Sequence, residues 1–155
     1  MKIFLIFFLF IVSFLSQASS LEKGKWSFVK TDEYCYVASL AIDTDLDPDK
    51  KRGEYYILVY KNIGNPDTVV QIEAGYTYNT DEPIVVKIDK TEYIFFTTTD
   101  LPGFAWTNDD EKIIYAMKKG LKLIVTGESN RGTVTNDTYT LSGFTASYNK
   151  LKEEC

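Results

Sequence analysis

Alternate aspartates open a polar stretch of the chain, Asp43-Thr44-Asp45-Leu46-Asp47-Pro48-Asp49, with Glu54 a short way beyond. Asp43, Asp45, Asp47 and Glu54 reproduce the first, third, fifth and twelfth positions of a calcium loop. Two features count against the ion. Pro48 stands where glycine is needed for the sharp turn, and the segment before the loop reads as strand rather than helix. Calcium therefore ranks below a solvated acidic loop between strands, and no cofactor is expected.

The chain has no histidine. That removes Ser-His-Asp and Cys-His catalysis, imidazole acid-base chemistry and histidine-based zinc sites together. Its 22 acidic residues offer many pairs of the kind glycosidases use, but none has a distinctive setting. An enzyme is not expected, and a carboxylate-dependent hydrolase is the alternative.

Arg131, in Ser129-Asn130-Arg131-Gly132-Thr133, is one of only two arginines, the other being Arg52. A forked guanidinium in a glycine-containing turn suits an anionic ligand. It equally suits a structural role, tying the turn to carbonyls or to a carboxylate such as Asp137, and this role is preferred. Loss of such a bond would lower stability by about 1 to 3 kcal/mol. Trp106 and the other aromatics fit a carbohydrate or peptide groove, although rings at strand spacing more often belong to a core.

Strands must position these groups. The 11 Tyr and 10 Phe, with many Val, Ile and Thr, favour them. Strands are expected over 26–30, 35–42, 54–62, 68–74, 84–88, 93–98, 121–127 and 133–141, with 43–53 as a long polar connection. Gly64-Asn65-Pro66, Gly75, Glu82-Pro83 and Pro102-Gly103 mark turns. Two amphipathic helices interrupt the set, at about 109–119 and 142–154. The first carries acids in its opening turn, Lys118 and Lys119 in its last, and Gly120 as a stop. On the second, Phe144, Tyr148, Leu151 and Cys155 share a face. The pattern predicts an all-β sandwich, not a βαβ fold.

Met1-Lys2, an apolar run from Ile3 to Leu15 and then Ser16-Gln17-Ala18-Ser19-Ser20 follow the order of a secretory signal. Cleavage after Ala18 or after Ser20 fits, leaving one domain over 21–155 with no transmembrane anchor. The net charge of -5 is spread along the chain, so nucleic acid is not an expected partner. Export and an even cysteine count predict a disulfide between Cys35 and Cys155. The helical face that carries Cys155 must turn toward the sheet to bury its rings, which aims the thiol inward. Intermolecular pairing through a frayed tail is the other possibility.

Several words of the C-terminal half occur together in order. They are Gly75-Tyr76, Ala105-Trp106, Ala116-Met117-Lys118-Lys119-Gly120, Arg131-Gly132-Thr133, Asp137-Thr138-Tyr139-Thr140-Leu141 and Gly143-Phe144-Thr145-Ala146, closing on Cys155. In order and spacing they resemble the invasion-associated locus B family, and the Trp26 and Cys35 region matches more loosely. The resemblance implies a small exported protein of alphaproteobacteria with an immunoglobulin-like β-sandwich. It supplies no catalytic or ligand-binding residues to carry over, and the family's biochemical activity is not established. The Asp43 to Asp49 segment looks like an insertion ahead of Arg52-Gly53. The expected function is a non-enzymatic envelope or surface protein, periplasmic or outside the cell, that binds a protein or envelope component through sheet edges and loops. A small anion- or glycan-binding module near Arg131 and Trp106 is a further alternative.

Overall fold

Alternating residues in the middle of the chain decide the first sheet. In β2 (Tyr34–Leu40), Cys35, Val37 and Ser39 turn inward, while Tyr34 and Tyr36 turn outward. In β4 (Tyr56–Asn62), Ile57 and Val59 are inside and Tyr56, Leu58 and Tyr60 outside. The computed structural model describes residues 21–155; the expected signal segment lies outside them.

With β1 (Ser27–Lys30), β5 (Val69–Glu73) and β8 (Phe104–Trp106), these strands form one antiparallel sheet in the order β1-β2-β4-β5-β8. The second antiparallel sheet has the order β3-β10-β9-β6-β7, from β3 (Asp43–Thr44), β6 (Ile84–Ile88), β7 (Thr91–Phe95), β9 (Lys122–Glu128) and β10 (Val134–Thr140). The apolar faces meet in a core that includes Val37, Ile57, Val70, Ile72, Val86, Phe95, Leu123 and Tyr139. This is the expected all-β sandwich with two short helices.

Two strands differ from the sequence expectation. β3 falls inside the stretch read as loop; Asp43 and Thr44 have no hydrophobic pattern and are strand only because β10 pairs with them. β8 has three residues, too few for a period to show.

Helix α1 (Asp110–Lys119) is capped by the Asp109 carboxylate, which accepts from the Lys112 N–H at 3.2 Å. It buries Ile113, Ile114 and Met117. Gly120 ends it with an extended backbone, so close packing rather than a left-handed turn demands the glycine. A Cβ there would come within 2.6 Å of Ile88 and 2.9 Å of Leu141. Helix α2 (Phe144–Glu154) follows the left-handed Gly143 and buries Phe144, Tyr148 and Leu151. Phe144 and Leu151 each contribute about 1.5–3 kcal/mol by burial. Trp26 lies edge-on to Phe144 at 4.8 Å, donates to the Thr140 carbonyl and accepts from the Ser147 hydroxyl through its own carbonyl. Cys155, at the helix end, is disulfide-bonded to Cys35 of β2, with the Cα atoms 6.1 Å apart. No helix among the described residues is long and apolar enough to cross a membrane.

Candidate functional site

The polar connection that leads from β3 into β4 folds back over the end of the sandwich, and Arg52 pins it there. The Arg52 and Asp137 side chains are only 5% and 3% exposed and form a forked ion pair. Arg52 Nη1 also donates to the Ala74 carbonyl at 3.1 Å, and Nη2 to the Thr44 hydroxyl at 2.9 Å. Its guanidinium carbon sits 3.4 Å from the centre of the Tyr55 ring. Asp137 accepts further bonds from the Thr44 and Thr135 hydroxyls. A buried carboxylate is tolerated only when its lone pairs are filled in this way. Burial alone would lower the Arg52 pKa, but the hydrogen bond and charge of Asp137 more than offset it and raise it.

Glycines allow the backbones to close. Gly53 N–H donates to the Gly75 carbonyl at 2.8 Å, and Gly75 has φ +71°, a left-handed conformation. A Cβ at Gly75 would collide with the Gly53 carbonyl and stand 2.8 Å from the Glu54 carbonyl. The segment after Gly75 runs beside the β9–β10 turn, where Asn130 N–H donates to the Thr77 carbonyl and Tyr76 hydroxyl meets Thr135 at 2.9 Å.

Between this connection and the turn opens a cavity of about 520 Å³. Twelve residues line it; four are basic (Lys50, Lys51, Arg52 and Arg131), and none is acidic. The remaining polar lining is mostly hydroxyl and amide: Tyr76, Thr77, Ser129, Asn130, Thr133 and Thr135. Lys50 Nζ donates to Thr133 at 3.2 Å. Arg131 is exposed and forms no ion pair among the described residues. With Arg52 spent on Asp137, the cations Lys50, Lys51 and Arg131, ringed by hydroxyl and amide groups, are suited to holding an anionic group.

The sequence-derived candidates separate. Asp137, considered as a partner for Arg131, is taken by Arg52, because it points into the sandwich from β10 while Arg131 stands out on the turn. Trp106 lies elsewhere, on the outer face of the first sheet, with its indole N–H 3.3 Å from the Gln71 side-chain oxygen, so it and Arg131 do not share a site. The acidic stretch does not gather: Asp45 accepts from the backbone and side-chain N–H groups of Asn136, both at 2.6 Å, and Asp47 accepts from the Asp49 N–H. Among the described residues no three acidic or thiol groups are placed to share a metal ion. Arg52 is the residue that sequence reasoning passed over. Its clue was the run Lys50-Lys51-Arg52-Gly53, basic and glycine-ended, directly after four aspartates.

The family model described as Invasion associated locus B (IalB) protein matches residues 29–152. No curated protein matches the chain. Among solved structures, the chain is similar to the crystal structure of invasion associated protein b from Bartonella henselae, with a TM-score of 0.59 at 18% identity, over 84% of this chain and 94% of that one. At that identity the likeness speaks for the fold alone.

Proposed function

The chain belongs to the invasion associated locus B family, and on that premise we propose that it is an exported, non-enzymatic binding protein of the cell envelope or surface. It holds an acidic group of its partner in the cavity beside Arg131. The observation that carries this reading is the lining: three exposed basic side chains, Lys50, Lys51 and Arg131, beside an Arg52 already paired with Asp137, and no carboxylate, in a chain of net charge -5. A carboxylate-dependent hydrolase would need two acids facing one cavity; this one offers donors. Export is supported by the apolar N-terminal run and by the disulfide, which belongs to oxidising compartments. A role at the outer surface would accord with the invasion association in the name of the Bartonella protein.

Calorimetry with inorganic phosphate, a sulfated oligosaccharide and its unsulfated counterpart tests the reading. The anionic probes should bind, and the double substitution Lys51→Ala/Arg131→Ala should weaken them by at least about tenfold. Equal binding of the sulfated and neutral sugars, or turnover of ester, glycan or peptide substrates that is lost when a carboxylate is replaced, would refute it.

A further inference from the structure

The outward face of β2 and β4 carries a second surface of opposite character. Its rungs pair Tyr34 with Asn62, Tyr36 with Tyr60, Ala38 with Leu58, and Leu40 with Tyr56. Large residues thus stand on both sides of a low rung made by Ala38 and Leu58, and successive same-face rungs are about 7 Å apart along the strand. The result is a trough of about 500 Å³ with an apolar floor and tyrosine walls. Tyr34 and Tyr36 are stacked at 6.1 Å. The next strand adds Gln71 opposite Leu58 and Glu73 opposite Tyr56. Glu54 lines the same trough, and no lysine or arginine does.

We propose that this tyrosine trough is a docking site for a basic protein segment, one that lays a lysine or arginine side chain between the Tyr36–Tyr60 and Leu40–Tyr56 rungs. Charge complementarity selects this occupant. Tyrosine rings attract a cation, Glu54 and Glu73 supply the opposite charge at the Tyr56 end, and no basic residue in the lining competes. The floor at Ala38 and Leu58 receives the alkyl stem, which lysine and arginine bury readily while their heads stay polar. An acidic or neutral segment would leave the charge of the two carboxylates uncompensated. The trough is independent of the cation-lined cavity, since the two linings share no residue.

The test is a titration of the mature protein with octalysine, octaarginine, octaglutamate and a Gly/Ser octamer. Calorimetry gives the affinity, and amide chemical shifts locate the contact. Both basic peptides should bind, with shifts concentrated on β2 and β4. Glu73→Gln keeps the shape and should weaken binding about threefold, and Tyr36→Ala about fivefold or more. Tyr60→Leu keeps an apolar wall and serves as a second test should Tyr36→Ala not fold; it should weaken binding similarly. Lys51→Ala/Arg131→Ala should leave basic-peptide binding undiminished, which separates this result from failure of the anion-binding reading. Equal binding of the neutral octamer, shifts spread over the whole surface, or affinity unchanged by Glu73→Gln and both tyrosine variants would overturn the proposal.

Discussion

The two arginines make opposite predictions. Arg52→Ala strands the buried Asp137 carboxylate and should cost about 3–5 kcal/mol, read from denaturant unfolding. Arg131→Ala removes an exposed side chain without an ion pair, so its stability should stay within about 0.5 kcal/mol of the parent while anion binding falls. This reverses the sequence expectation that Arg131 is the stabilising arginine. Gly75→Ala forces a Cβ into the Gly53 backbone at a left-handed φ and should destabilise by more than about 1 kcal/mol. Asp45 supplies the pH dependence. The two bonds from Asn136 hold its carboxyl below the usual aspartate range in the folded protein. Its contribution is therefore complete above the unfolded value of about 4 and is lost as pH falls through the lower folded value. The stability gap between parent and Asp45→Ala, followed by unfolding at a series of pH values, should accordingly shrink below pH ~4.

Among the elements, those with enough residues to show a period were legible. The second strand, the fourth and both helices stood out because each buries alternate or helically spaced side chains, and boundaries moved by only one or two residues. β3 and β8 were not, since a two- or three-residue strand is defined by its partner. The same logic hid the site. Arg52 and Asp137 are 85 residues apart, and only the pairing of β3 with β10 brings them together. The face of α2 was legible, and so was the Cys35–Cys155 bond it aims. Replacing both cysteines by serine should cost about 2–5 kcal/mol. Amide exchange should then quicken first in α2, which keeps its packing on β1, β2 and α1 and its contacts with Trp26 but loses its covalent tie to β2.

At the scale of the molecule, two hollows of opposite character sit on a chain of net charge -5: one gathers basic side chains, the other rings with Glu54 among them. Anion binding at the cavity therefore works against the field of the whole chain. Raising salt screens the repulsion as well as the attraction, so the affinity for phosphate should fall less steeply than three exposed cations alone would imply. The disulfide has a further effect. Cys35 and Cys155 enclose the exposed Asp47–Lys51 connection within one covalent ring. A protease that cuts after Lys50 or Lys51 would open the ring without releasing a piece, and the Arg52 anchor on the far side of the cut would still grip Asp137. Trypsin-nicked protein should accordingly run as one band without reductant and as two with it. The fold thus converts a break in this exposed loop from loss of the molecule into a change of loop shape.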